Sequence, residues 1–226
     1  MRVPQAATLL VALHFATFAA ASALVNPNVL SSDQRLQLGK APSLFLQVIL
    51  YDESTVLKVF ANPIVSADKT SVRYDGFATI TDKESTYLAV DGDAYVVETV
   101  GNESTSVATR TVQCLESIAP FNSIVSALNN ASFTSGQSIE GEAMGCTSAN
   151  EYKTRIGGKN LSLCGSGSSG LIAYGGSIAV FVEYLEAPLR HITAPPGAPA
   201  CDTVETATIV TPTALTLMTG KGIVQD

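Results

Sequence analysis

Thr70 to Val100 reads TSVRYDGFATITDKESTYLAVDGDAYVVETV, and its pattern decides the fold class. Val72 and Tyr74 share one parity in the first run, and Tyr95 and Val97 share one in the last. A period of two is the mark of a half-buried strand, because successive side chains leave opposite faces. Asp75-Gly76 and Asp91-Gly92-Asp93 separate the runs. Asp-Gly pairs favour tight hairpin turns, so the stretch predicts an antiparallel meander.

The pattern continues on both sides. Upstream, SLFLQVILYDESTVLKVFANPIVS (43–66) begins with a nearly continuous apolar run, as expected of a buried strand. Downstream, TSVATRTVQCLES (105–117) adds one more strand. The period then changes. In APFNSIVSALNNA (119–131), Phe121, Ile124, Val125 and Leu128 recur at i, i+3, i+4 and i+7, one face of a helix. Pro120 suits its first turn, and Asn129-Asn130 closes it. Strand patterning resumes in SIEGEAMGC (138–146), EYKTRI (151–156), KNLSLC (159–164), GLIAYG (170–175) and SIAVFVEYL (177–185). The expectation is a mainly β protein: a strongly curved antiparallel sheet or incomplete barrel of about ten strands. One amphipathic helix, spanning 120–129, lies on it as a lid. A helix with one apolar stripe needs an apolar surface to bury it, and a concave sheet face is the obvious one.

The ends read differently. Residues 1–23 carry Arg2, an apolar run from about Ala6 to Ala21, and a small-x-small site at Ala21-Ser22-Ala23, the pattern of a secretory signal peptide. The run is short for a bilayer span, and no basic stop-transfer cluster follows it. No integral membrane segment is expected after cleavage. Residues 24–40 show little periodicity and predict a mobile arm. Residues 41–187 form the β domain. Residues 188–226 are rich in Pro and Thr and predict an extended or disordered tail, tied down at Cys201. Pro212 interrupts the mildly apolar stretch near the C-terminus.

Charge and cysteine content narrow the class. The chain has 226 residues and a formal net charge of −7. Losing residues 1–23 leaves about 200 residues, one to two domains by length. Arg2 is the only charge lost with them. An acidic chain without a basic run excludes nucleic acid, whose phosphates require clustered Lys and Arg. Four cysteines in an oxidising compartment read as two disulfides with three connectivities. If Gly157-Gly158 is a two-residue hairpin loop, Ile156 faces Lys159, Thr154 faces Leu161, Tyr152 faces Leu163 and Glu151 faces Cys164. The turn-rich Thr147–Asn150 would fold Cys146 back over that hairpin. This favours Cys146–Cys164, leaving Cys114–Cys201. Sequons at Asn102, Asn130 and Asn160 fit the same secretory route. The expected location is secreted and extracellular, the host apoplast if the source is a pathogen.

Motifs for chemistry are sparse. Metal ligation wants paired Cys and His, and His191 is the one histidine beyond the signal. No metal and no cofactor are expected. Gly165, Gly167 and Gly170 match Gly-x-Gly-x-x-Gly, and Glu186 follows at about the right distance, but β-patterned residues stand where a helix is required. Ser169 lacks the second glycine of a nucleophile elbow. Glu140 and Glu142 share one strand face, which ordinary solvent-facing alternation explains. Asp91 and Asp93 lack the other ligands of a calcium loop. No catalytic residue is assigned, and the chain is expected not to be an enzyme.

RYDGF, YLAVDGDAYVVE, VQCLES, the helix PFNSIVSALNNA, CTSANEYKTRIGGKNLSLC and IAVFVEYLEAP occur in this order. Over residues 41–187 this order resembles a family of secreted oomycete proteins that is similar to the LolA-like group, named for a bacterial lipoprotein carrier. The resemblance implies a curved, incomplete barrel with a helical lid. It implies that Phe121, Ile124, Val125 and Leu128 line a cavity for a lipid or similar hydrophobic small molecule. The alternative is an apoplastic effector or surface protein whose partner is a host or cell-surface protein. QRLQL at Gln34–Leu38 resembles the R-x-L-R translocation signal of oomycete effectors. It departs from that signal at Leu38 and lacks the acidic stretch that follows it.

Overall fold

The computed structural model describes residues 30–80, 85–102, 107–116, 121–134, 151–156, 158–165 and 167–221. Residues 1–29 with the expected signal segment, Glu140, Glu142, Cys146 and the strand expected over 138–146 lie outside these residues. So does the side chain of Phe121.

One antiparallel sheet organises the chain. Its strands are β1 (Leu44–Leu50), β2 (Thr55–Val65), β3 (Ser71–Ile80), β4 (Ser85–Val90), β5 (Asp93–Asn102), β6 (Val107–Cys114), β7 (Ser132–Thr134), β8 (Glu151–Ile156), β9 (Lys159–Gly165), β10 (Gly170–Gly175), β11 (Ile178–Tyr184) and β12 (Thr208–Ile209). The order is β6-β5-β4-β3-β2-β1-β11-β10-β9-β8-β7, and β12 adds to β3 beside that path. Among the described residues the path does not close into a barrel, and β6 and β7 are its two ends.

The meander is present, but Asp75-Gly76 is not a turn. Both residues sit inside β3, paired with Asn62 and Ala61 of β2. Asp75 has a reason to be there that local sequence does not show. Its carboxylate accepts the backbone N–H of Asp91 and meets the Arg73 guanidinium. Asp91-Gly92 does turn, between β4 and β5, with both residues at positive φ. The β8–β9 hairpin has the expected register in full, from Ile156–Lys159 to Glu151–Cys164.

The two sheet faces are both apolar, which explains the unbroken apolar run of β1. Leu46 pairs with Val59 of β2 and Val182 of β11, and Leu44 with Ala61 and Tyr184, all on the inner face. These residues join Val72, Tyr74, Leu163, Leu171 and Ala173 in one buried cluster. On the outer face, Phe45, Phe60, Phe77, Leu88 and Tyr95 form a continuous cross-strand row over β1 to β5. The phenylalanine rings sit 4.9 and 5.1 Å apart along it. Such aromatic cross-strand pairs each contribute about 0.2–1 kcal/mol.

Among the described residues three helices cover the inner face, where one was expected. The expected one is α2 (Phe121–Asn129), which in sequence joins one end of the sheet to the other. The second, α1 (Ser32–Leu38), replaces the mobile arm over residues 30–40. Ser31 and Gln34 form a capping box, and Leu30 and Leu38 are buried in the inner cluster. A capping box satisfies two of the N–H groups that a helix start leaves open. The third, α3 (Pro212–Thr219), corrects the disordered tail. Pro212 does not break this segment. It stands in the first turn, where its missing N–H costs nothing, with Thr211 as N-cap and Gly220 as left-handed C-cap.

The segment 185–207 reaches α3 by crossing the outer face. Asn62 Nδ2 donates to Leu189 and Arg190 carbonyls, and Ser43 Oγ accepts Leu189 N–H. The strap crosses to β6, where Cys201 is bonded to Cys114. It returns to Gly92, whose carbonyl accepts the N–H groups of Val204 and Glu205. Then β12 pairs with Val72 and Ser71, and the chain turns over the rim into α3. The strap is ordered because its backbone polar groups find partners on the sheet.

Candidate functional site

The amphipathic stripe of α2 faces inward as its spacing requires. Val125 is 2% and Leu128 8% exposed, and Ile124 packs half-buried against the same cluster. Thr154 of β8 donates its hydroxyl to the Ala127 carbonyl at 2.5 Å, tying the helix to the sheet. Asn129 joins α2 to the strap end: its Nδ2 donates to the Ile209 carbonyl and its Oδ1 accepts Thr211 N–H at 2.9 Å.

The sequence reading missed that α2 shares the inner face with α1 and α3. Ala214, Leu215, Leu217 and Met218 of α3 are all buried in the cluster that holds Val125, Leu128 and Leu38. Fully burying one Leu or Met side chain stabilises by about 1.5–3 kcal/mol. Packing of this kind, more than intrinsic propensity, keeps an eight-residue helix in place. The local signals were Thr211-Pro212 at one end and Gly220 at the other.

Two tyrosines place hydroxyls in this apolar region. Tyr184, at the end of β11, donates its hydroxyl to the Leu217 carbonyl. That carbonyl belongs to the last turn of α3, which leaves its C=O groups without helical partners. Tyr74 of β3 lies fully in the cluster. Burial pushes both phenols well above their usual pKa, and for Tyr74 the neighbouring Tyr184 adds to it. Both are therefore neutral hydroxyls at physiological pH.

The Gly165–Gly170 run serves the same helix. One 3₁₀ turn (Gly167–Ser169) joins β9 to β10, and a strand follows it. A Cβ on Gly220, at the end of α3, would lie 2.1 Å from the Gly167 carbonyl. A Cβ on Gly170 would lie 1.9 Å from the Val182 carbonyl of β11. Close backbone approach explains these glycines.

A second polar group lies on the outer face. Arg73 Nη2 is 3.2 Å from Asp75 Oδ1 and 3.1 Å from Asp91 Oδ1. Asp75 is only 3% exposed. Burial pushes its carboxyl above the usual range, against the lowering from Asp91 N–H, Arg73 and His191. Asp93, by contrast, accepts hydrogen bonds from Tyr95 and Thr203. His191 is exposed. Among the described residues no group of three or more His, Cys, Asp or Glu could hold a metal ion.

Of the three sequon asparagines, Asn130 and Asn160 are exposed, the first at the end of α2 and the second in β9. Asn102 ends β5. Cys164 is disulfide-bonded, and its expected partner Cys146 is outside the described residues. Among the described residues no helix is long and apolar enough to cross a membrane. Searches of family models, curated protein sequences and solved structures find no match to this chain.

Proposed function

We propose that the protein is a secreted, non-enzymatic binding protein that takes a lipid or similar apolar ligand between its helical cover and the inner sheet face. One observation carries this reading. An open sheet turns one apolar face inward, and among the described residues three short helices seat their apolar side chains in the same buried cluster on it. Ligand sites of this class are concave and apolar, with few polar groups to orient the guest. Tyr184 and Tyr74 are such groups. Short helices held by a few hydrogen bonds open at lower cost than a continuous sheet. The reading agrees with what the resemblance to LolA-like domains implies.

The test is titration of the delipidated protein with cis-parinaric acid methyl ester, followed by its fluorescence. Binding at one site per chain is expected, and Ile124→Asp should abolish it while the circular dichroism spectrum is kept. Equal binding by both proteins would remove the site from beneath α2.

A second reading has its own support. Ile172 and Phe181 are cross-strand neighbours on the outer face, 37% and 38% exposed. An exposed apolar pair on a sheet face suits contact with a host or cell-surface protein. Phe181→Asp should then abolish capture of that partner and leave binding of the parinaric ester intact.

A further inference from the structure

We infer that the ligand site is the berth of α3, which the protein fills with its own C-terminal segment, and that its guest is an acyl chain ending in an uncharged hydrogen-bond acceptor. The inference rests on the binding function proposed above and says where the guest goes.

Three features of α3 make it a stand-in ligand. First, PTALTLMT carries no charge, and Ala214, Leu215, Leu217 and Met218 lie in the inner cluster with Leu38, Val125 and Leu171. The trough that holds them is therefore apolar along its length. Second, the trough has one polar end. The Tyr184 hydroxyl donates there to a carbonyl, that of Leu217. Because burial holds Tyr184 protonated, it offers a hydroxyl proton and no charge. Burying an ionised carboxylate there would cost far more than burying a neutral carbonyl, so an ester or amide carbonyl fits better than an ionised acid. Third, α3 is joined to the sheet by few polar ties. Among the described residues its links from β12 onward are the two-residue β12 itself, the Val210–Thr70, Asn129–Ile209 and Asn129–Thr211 hydrogen bonds, and the Tyr184–Leu217 bond. The disulfide at Cys201 lies before all of these, so a displaced α3 stays tethered to β6.

A guest must therefore compete with α3, and its apparent affinity falls with the fraction of chains whose berth is open. Loosening α3 should tighten binding. Thr211→Ala removes the N-cap bond to Ala214 N–H, and Asn129→Ala removes two more ties. Together they should raise the open fraction roughly tenfold.

The experiment titrates the full chain and the Asn129→Ala/Thr211→Ala variant with cis-parinaric acid methyl ester and with the hydrocarbon of the same polyene. Amide hydrogen exchange is followed over 212–220. Thr211→Ala alone replaces the double variant if circular dichroism shows the latter unfolded, with a roughly twofold expectation. The variant should bind the ester about tenfold tighter, and bound ester should strip exchange protection from 214–219. Tyr184→Phe should erase the preference for ester over hydrocarbon. Equal affinities, with protection over 214–219 unchanged or raised by the ester, would overturn the berth and leave the binding function standing. No binding of either probe by any of the proteins would overturn both.

Discussion

Breaking the Cys114–Cys201 bond should weaken the whole fold, because the strap enters the structure from the far end of a long loop. The bond joins residues 87 apart in sequence. The chain-entropy relation gives a loss of about 15 cal/mol/K for a loop of that length, or about 4.6 kcal/mol at 25 °C. Native disulfides in small secreted proteins contribute about 2–5 kcal/mol, so the Cys114→Ser/Cys201→Ser variant should fall in that range. The bond also fixes the point from which the strap returns to Gly92 and β12, so its loss should loosen 202–211 as well. Guanidinium unfolding of both proteins measures the effect. With a slope of about 4 kcal/mol/M, the midpoint should drop by roughly 0.5–1.2 M. A drop below about 0.2 M with an unchanged slope would refute the reasoning. It would mean that the strap is held by its hydrogen bonds and packing without help from the cross-link.

Asp75 gives a pH test with a definite sign. Its folded pKa is raised by burial, so the fold disfavours the ionised form. That penalty is full above the raised pKa, shrinks as the pH falls toward 3.8, and is gone below it. Asp75→Asn keeps an acceptor and has no penalty to lose, so the melting temperature of the wild type should gain on the variant as pH falls from 7 to 4. A gain in the other direction would mean that the Arg73 pair outweighs burial. Gly170→Ala should cost about 3 kcal/mol or more in urea unfolding, from the clash with Val182 and a φ of +147°. A loss under about 1 kcal/mol would contradict the close approach of β10 to β11. Leu215→Ala, deep in α3, should cost about 2–5 kcal/mol by the same assay, since it empties core volume. A cost near zero would mean that α3 is not seated in the cluster.

What the sequence disclosed follows the range of the forces involved. The β8–β9 register was legible because a two-residue loop leaves one way to pair Ile156 with Lys159. The helix α2 was legible because Ile124, Val125 and Leu128 repeat on one face, and they do lie inward. Asp75-Gly76 misled because Asp-Gly is turn-like only in the absence of distant partners, and Arg73 and Asp91 provide them. The helices α1 and α3 were missed for a related reason. Seven or eight residues are too few to show periodicity or to hold a helix alone, and their order comes from seating Leu38, Leu215 and Met218 in the core. Capping signals at Ser31, Thr211 and Gly220 were visible and underweighted. Of the candidate site, the reading found α2 and missed the tyrosines and α3. Those enter through a segment that looked like a Pro/Thr-rich tail.

Native mass spectrometry tests the central claim most directly. The purified chain and its Ile124→Asp variant would be incubated with a total lipid extract of the producing cells, freed of unbound lipid and weighed intact. The account predicts a species heavier by one lipid per chain, releasable by organic solvent and absent from the variant. A wild-type protein whose only excess mass is glycan would contradict it.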